Sequence, residues 1–93
     1  MAFVHVSKHA KERALDRYGF AGSDDDWTRA FLDITDNVLG VRNGAMLLRK
    51  PDYRGAEVWL VRIRMVPMIT VYHPASAVFL TVLSPSWKMS DLI

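Results

Sequence analysis

The sequence predicts an α+β fold, with two N-terminal helices packed on a four-stranded antiparallel sheet in the order ααββββ. Three observations predict it. Two capped amphipathic segments open the chain, and the hydrophobic period changes from 3.6 to 2 after Gly40. The apolar runs that follow are joined by short turns, which suit an antiparallel meander rather than crossover connections.

Ser7 is a good N-cap, helix formers run from Lys8 to Tyr18, and Gly19 stands where a C′ glycine belongs. A second helix starts at Ser23, with Asp24, Asp25 and Asp26 in the first turn, where the helix dipole favours acids. Trp27, Ala30, Phe31, Ile34 and Val38 then recur at three- and four-residue steps, and Gly40 ends the segment. Asn43-Gly44 is a turn signal before a short strand, Ala45 to Arg49. Pro51 to Gly55 reads as a hairpin loop. Glu57 to Met65 alternates, with Trp59, Val61, Ile63 and Met65 on one face and Val58, Leu60, Arg62 and Arg64 on the other. Pro67 reads as an interruption marking the next reversal. Met68 to His73 is the third strand, Pro74-Ala75-Ser76 a turn, and Val78 to Leu83 the last strand. The tail from Ser84 to Ile93 is short and irregular, with Trp87 expected to dock.

Ninety-three residues suit a single domain, residues 1–93, with enough apolar content (51%) to bury a core without staples. The chain has no cysteine, which excludes disulfides and thiolate metal sites. No apolar stretch is long enough to span a membrane, and no secretory signal is visible, so a cytoplasmic protein without membrane contact is expected. The net charge of +2 is unevenly spread. Residues 1–20 carry four basic and two acidic side chains, residues 21–40 one and five, residues 41–93 seven and three. Such polarity steers a polyanion toward one side of a domain, while an ordinary solvated surface is the plainer reading.

His9, Arg13 and Arg17 are spaced four apart on the first helix, each ~6 Å from the next on one face. An imidazole beside two guanidiniums suits phosphodiester chemistry, because guanidinium binds phosphate oxygens in bidentate fashion and histidine titrates near neutrality. The same stripe also suits a solvated face paired with Glu12, Asp16 or the acidic second helix. Tyr72 and His73 end the third strand and Thr81 lies within the last, where strand groups can converge with helix residues. A core-edge aromatic and an ordinary β-branched strand residue are the plainer readings of Tyr72 and Thr81. His5, before the helix, reads as an edge or capping residue with no assigned role. The three histidines lack metal-ligand spacing, and no glycine-rich phosphate loop occurs, so no metal and no cofactor is expected.

The run Ser7-x-His9-Ala10-x-x-Arg13-x-x-x-Arg17, the acidic-start helix, and strands containing Ile69-Thr70-Val71-Tyr72 and Phe79-Leu80-Thr81-Val82-Leu83 resemble the small RelE-like proteins. Within the barnase–EndoU–colicin–RelE ribonuclease superfamily, the chain is similar to the group opening on S-x-H-A-x-x-R, common in phages and mobile elements. The resemblance covers about residues 5–84. It implies metal-independent RNA cleavage, in which a base frees the 2′-hydroxyl to attack phosphorus, an acid protonates the leaving 5′-oxygen, and cations stabilise the phosphoryl charge. By the resemblance, His9 is the acid or base, Arg13 holds phosphate, and Thr81 bonds a phosphate oxygen, with Tyr72 assisting. Arg17, His73, Arg62 and Arg64 are the expected substrate contacts.

The C-terminal strand departs from the better-known toxins, which crowd basic residues there. This one runs into Ser84-Pro85-Ser86-Trp87-Lys88, with one lysine, which argues against ribosome-dependent cleavage. Two readings stand. The first is an endoribonuclease of toxin or phage-effector type acting on RNA. The second is a non-catalytic module of the same fold that binds nucleic acid or a protein, such as an antitoxin or a host target. A catalytic domain requires His9, Arg13 and a strand hydroxyl in one pocket. A binding module requires an exposed apolar or charged patch instead, for which Tyr53, Trp59 and Trp87 are candidates.

Overall fold

The structure, a computed structural model, describes residues 4–41, 43–49 and 55–87. Its elements are β1 (His5–Val6), α1 (Lys8–Tyr18), α2 (Asp24–Val38), β2 (Met46–Arg49), β3 (Glu57–Ile63), β4 (Val66–His73) and β5 (Val78–Leu83). Both helices begin and end as their local chemistry dictates. The Ser7 side chain accepts the Ala10 N–H, and Gly19 closes α1 at φ 65°. Ser23 and Asp26 form a reciprocal capping box at the start of α2.

The fold is α+β, but the sheet has five strands and is mixed, in the order β1-β5-β4-β3-β2. The expected four-stranded antiparallel meander is present as β2 to β5, and β1 adds a parallel rung through His5 with Val78 and Val6 with Phe79. Two residues before a helix cap are too few to show an alternation, so this strand has no sequence signal. The third reversal also lies elsewhere than expected. It falls at Arg64-Met65, between the paired Ile63 and Val66, and Pro67 sits inside β4 opposite Arg62. Proline is tolerated there because β5 joins β4 only from Ile69 onward, leaving the start of β4 without a neighbour on that side. Met65 therefore leaves the Trp59–Ile63 face and stands 81% exposed. Most of the expected hairpin loop at Pro51 to Gly55, with Tyr53, lies outside the described residues, as does the tail beyond Trp87.

Both helices cover one face of the sheet, α1 over β5 and β4, α2 over β3. The layer between them is aromatic: Phe20, Trp27, Phe79, Tyr72 and Phe31 form a chain of ring contacts with centroids 5.0–6.2 Å apart. Trp59, Val61, Met68 and Val82 complete the core, and Thr70, the one buried polar residue among the described residues, donates to the Trp59 carbonyl at 3.0 Å. Side chains of α1 complete the ladder of β5 where strands do not reach. Ser7 Oγ donates to the Leu80 carbonyl and Arg17 to the Val82 carbonyl, each at 2.8 Å, on the edge that β1 is too short to pair. The Tyr18 hydroxyl donates to the Leu83 carbonyl at 2.8 Å and accepts the Ile69 N–H at 3.2 Å, at the last rung between β4 and β5. Among the described residues no helix is long and apolar enough to cross a membrane.

Candidate functional site

The α1 stripe forms, but its cations are mostly engaged. His9 stands exposed in the first turn and makes no hydrogen bond or ion pair among the described residues. Arg13 reaches Asp16 at 3.2 Å, Lys8 reaches Glu12 at 3.9 Å, and Lys11 reaches Asp24 across to α2 at 3.4 Å. Arg17 is spent on the β5 backbone. One turn of helix therefore separates a free imidazole from a guanidinium that already has an acid beside it.

A β-bulge decides where Thr81 points. Tyr72 pairs with Phe79 and Val71 with Thr81, so Leu80 is the extra residue on β5. Simple alternation from Phe79 would send Thr81 toward α1. The one-residue slip turns it to the far face and turns Val82 inward instead, and Phe79 and Val82, three apart, are both fully buried. The bulged Leu80 carbonyl is the one that Ser7 bonds. Tyr72 faces the helices but is 3% exposed, held between Phe31 and Phe79. Burial, and secondarily the charge of Glu57, push its phenol up from the usual tyrosine value. His9 and Arg13 thus lie on the helix side, Tyr72 within the core, and Thr81 on the opposite face. Among the described residues these side chains do not converge on one face of the sheet.

The far face collects a different group. Register places Thr81 with Val71 and Val58 in one cross-strand row, and His73 with Val78 and His5 in the next. The Ser76 hydroxyl lies 2.6 Å from His73 Nδ1 and the Ser76 N–H 3.3 Å from the same nitrogen, which holds the ring against the turn after β4. Leu60 pairs with Ile69 and Ile69 with Leu83 in the row on the other side of Thr81, and Arg62 stands exposed beyond it. No described helix packs on this face. Comparison of the chain with protein-family models, with curated proteins and with solved structures finds no match.

A second feature adjoins that face. The turn between β3 and β4 has two residues, Arg64 at φ 50° and Met65 at φ 69°. A turn with both central residues at positive φ is the place for Asn-Gly, and L-residues with longer side chains pay about 1 kcal/mol or more there. Arg64 Nε reaches Asp26 Oδ1 at 3.0 Å and Arg29 Nε reaches Asp33 at 3.5 Å. With Arg62, Ile63 and Gly44 these residues line a cleft of about 400 Å³ between the turn and α2. The Ser23 N–H holds the Asp26 carboxyl below its usual range, against the smaller effect of burial, and the Ser23 hydroxyl and Arg64 add to it. Asn43 Nδ2 bonds the Asp33 carbonyl at 2.7 Å and Asn37 Nδ2 the Ala45 carbonyl at 2.8 Å, which pins the loop carrying Gly44.

Among the expected substrate contacts, Arg62 and Arg64 meet at this cleft, His73 shares the far face with Thr81, and Arg17 stands apart. Sequence reasoning gave His5 no place on that face, since nothing marks a two-residue strand. Among the described residues no group of His, Asp and Glu is arranged to hold a metal ion.

Proposed function

We propose that this domain is a non-catalytic binding module that docks a protein through the sheet face turned away from its helices. It is a module of the RelE-like kind, of the sort a small phage-encoded inhibitor of a host protein would be. The observation that carries this reading is the split of the sequence-derived constellation: the bulge at Leu80 puts Thr81 on the opposite side of the sheet from His9 and Arg13. General acid–base chemistry needs its groups within hydrogen-bond reach of one reacting centre, and a sheet stands between these. The far face has instead the make-up of a docking surface. Its centre is aliphatic, with Leu60, Ile69, Val71 and Leu83, the flanking Met46 and Leu80 are 57% and 41% exposed, and Arg62, His5 and His73 stand at its margins. Among the described residues the strand pairing brings no aromatic ring to it, and ring stacking is what single-stranded RNA requires of a sheet.

The test uses a photo-crosslinking residue at Leu80 in cells. A discrete protein adduct is expected, lost in Val71→Lys while the circular dichroism stays native. Adducts to RNA in place of protein, or an adduct indifferent to Val71→Lys, would overturn the reading. The free, exposed His9 in the first turn of α1 favours one other reading, the metal-independent endoribonuclease. Incubation of bulk RNA with the chain in EDTA separates the two. The binding module leaves RNA intact, whereas a ribonuclease leaves 2′,3′-cyclic phosphate ends and loses activity by about 10²–10⁴-fold in His9→Ala.

A further inference from the structure

We infer that the cleft between the β3–β4 turn and α2 binds a carboxylate side chain on an acidic, apolar-flanked peptide segment of a protein partner. This inference rests on the reading of the domain as a protein-binding module and names the chemistry of what it binds.

The charges in the cleft are layered. The Asp26 and Asp33 side chains are only 12% and 14% exposed, while those of the arginines they hold, Arg64 and Arg29, are 69% and 74% exposed. Arg64 donates from Nε to Asp26 at 3.0 Å and Arg29 approaches Asp33 through Nε at 3.5 Å, so both contacts are made through Nε rather than through a two-nitrogen fork. Arg62 lines the same cleft and makes no ion pair among the described residues. The lining therefore counts three guanidiniums to two recessed carboxylates, one positive charge in excess, carried by groups whose planar forks match a carboxylate. The two carboxylates repel a polyanion, so a run of phosphates fits this place less well than a single acidic side chain.

The turn supplies an independent observation. Its strained backbone carries Arg64 and Met65 where Asn-Gly would relieve the strain, and Met65 extends into solvent, 81% exposed, beside the guanidiniums. Stability alone favours neither residue there, and held strain of this kind gathers at ligand clamps. An exposed thioether is an adaptable apolar shelf. Arg62 also stands on the far face of the sheet, so the cleft continues the surface proposed for docking.

The experiment titrates the ¹⁵N-labelled chain at low salt with a capped Leu-Glu-Glu-Leu peptide, and in parallel with a short oligoribonucleotide and with inorganic phosphate. Peptide-induced shifts should be confined to Arg29, Gly44 and Arg62 to Met65. Arg62→Ala should weaken binding about tenfold, as for loss of one charge-assisted contact. Met65→Gly, which suits the turn better, should raise the melting temperature and still weaken the peptide. No shift at millimolar peptide, no effect of Arg62→Ala, or stronger shifts of the same amides by RNA or by phosphate would overturn the inference. Failure here with the Leu80 protein adduct intact sinks this inference alone, and loss of that adduct sinks the reading beneath it.

Discussion

Tyr18→Phe tests how α1 is fastened to the sheet. The substitution keeps the ring, which packs against the core, and deletes only the oxygen that donates to the Leu83 carbonyl at 2.8 Å and accepts the Ile69 N–H at 3.2 Å. Each hydrogen bond contributes about 1 kcal/mol net, and both backbone groups are half-buried, so water replaces part of the loss. The expected destabilisation is about 1–2 kcal/mol, or roughly 5–15 °C in Tm for a domain of this size. Urea unfolding followed by tryptophan fluorescence should show a lower midpoint with an unchanged slope, and the Ile69 amide should exchange faster. The alkaline limb gives a second readout. Burial raises the Tyr18 phenol above its usual value, against the lowering effects of the Ile69 N–H and Arg17, and burial raises Tyr72 as well. The folded chain therefore holds these protons more tightly than the unfolded chain. Their contribution is intact below about pH 10 and is lost as pH rises through the folded pKa values. With one of the two phenols gone, Tyr18→Phe should show a shallower decline above pH 10. A loss below about 0.5 kcal/mol, with Ile69 exchange and the alkaline limb unchanged, would refute the role given to this hydroxyl.

Two further variants test the layering. Phe79→Ala, at a fully buried ring touching both Trp27 and Tyr72, should cost about 3–5 kcal/mol in urea unfolding, while the half-buried Phe31→Ala costs about 1–3 kcal/mol; equal losses would contradict the order of the aromatic layer. Arg17→Ala should lower stability by about 1 kcal/mol through its 2.8 Å bond to the Val82 carbonyl, and a variant as stable as the native chain would return Arg17 to the pool of free surface cations.

The two helices were legible because their signals are local. Ser7 and Gly19, and Ser23 with its three aspartates, act within a turn of where they stand, and the α2 stripe buries Trp27, Ala30 and Ile34 and half-buries Phe31, while Val38 at its last turn stands 69% exposed, beyond the reach of the sheet. The pairing of β3 with β4 was legible in its faces but not in its turn, because Arg64-Met65 carries none of the residue types that announce positive φ. Pro67 misled for a tertiary reason, since its tolerance depends on how far β5 extends. The candidate site depended on a single residue of register. Helical spacing put His9, Arg13 and Arg17 in line, yet the side of the sheet on which Thr81 emerges is set by the bulge at Leu80, a feature stabilised by Ser7 from seventy-three residues away in the chain. Arg17 resembles a phosphate contact in the sequence because a sequence shows its charge and not the Val82 carbonyl it faces.

The way α1 borders β5 carries a consequence for how this protein behaves when it is stressed. Val78–Leu83 is six residues long, uncharged and free of proline and glycine, a composition that pairs readily with other chains once its edge is bare. Ser7 and Arg17 occupy the Leu80 and Val82 carbonyls that an incoming strand would need, so the helix is the gatekeeper of that edge. Fraying of α1 alone, well short of global unfolding, would expose a template for self-association. Aggregation should then follow the local opening of the first helix and begin at temperatures where the aromatic core is still intact.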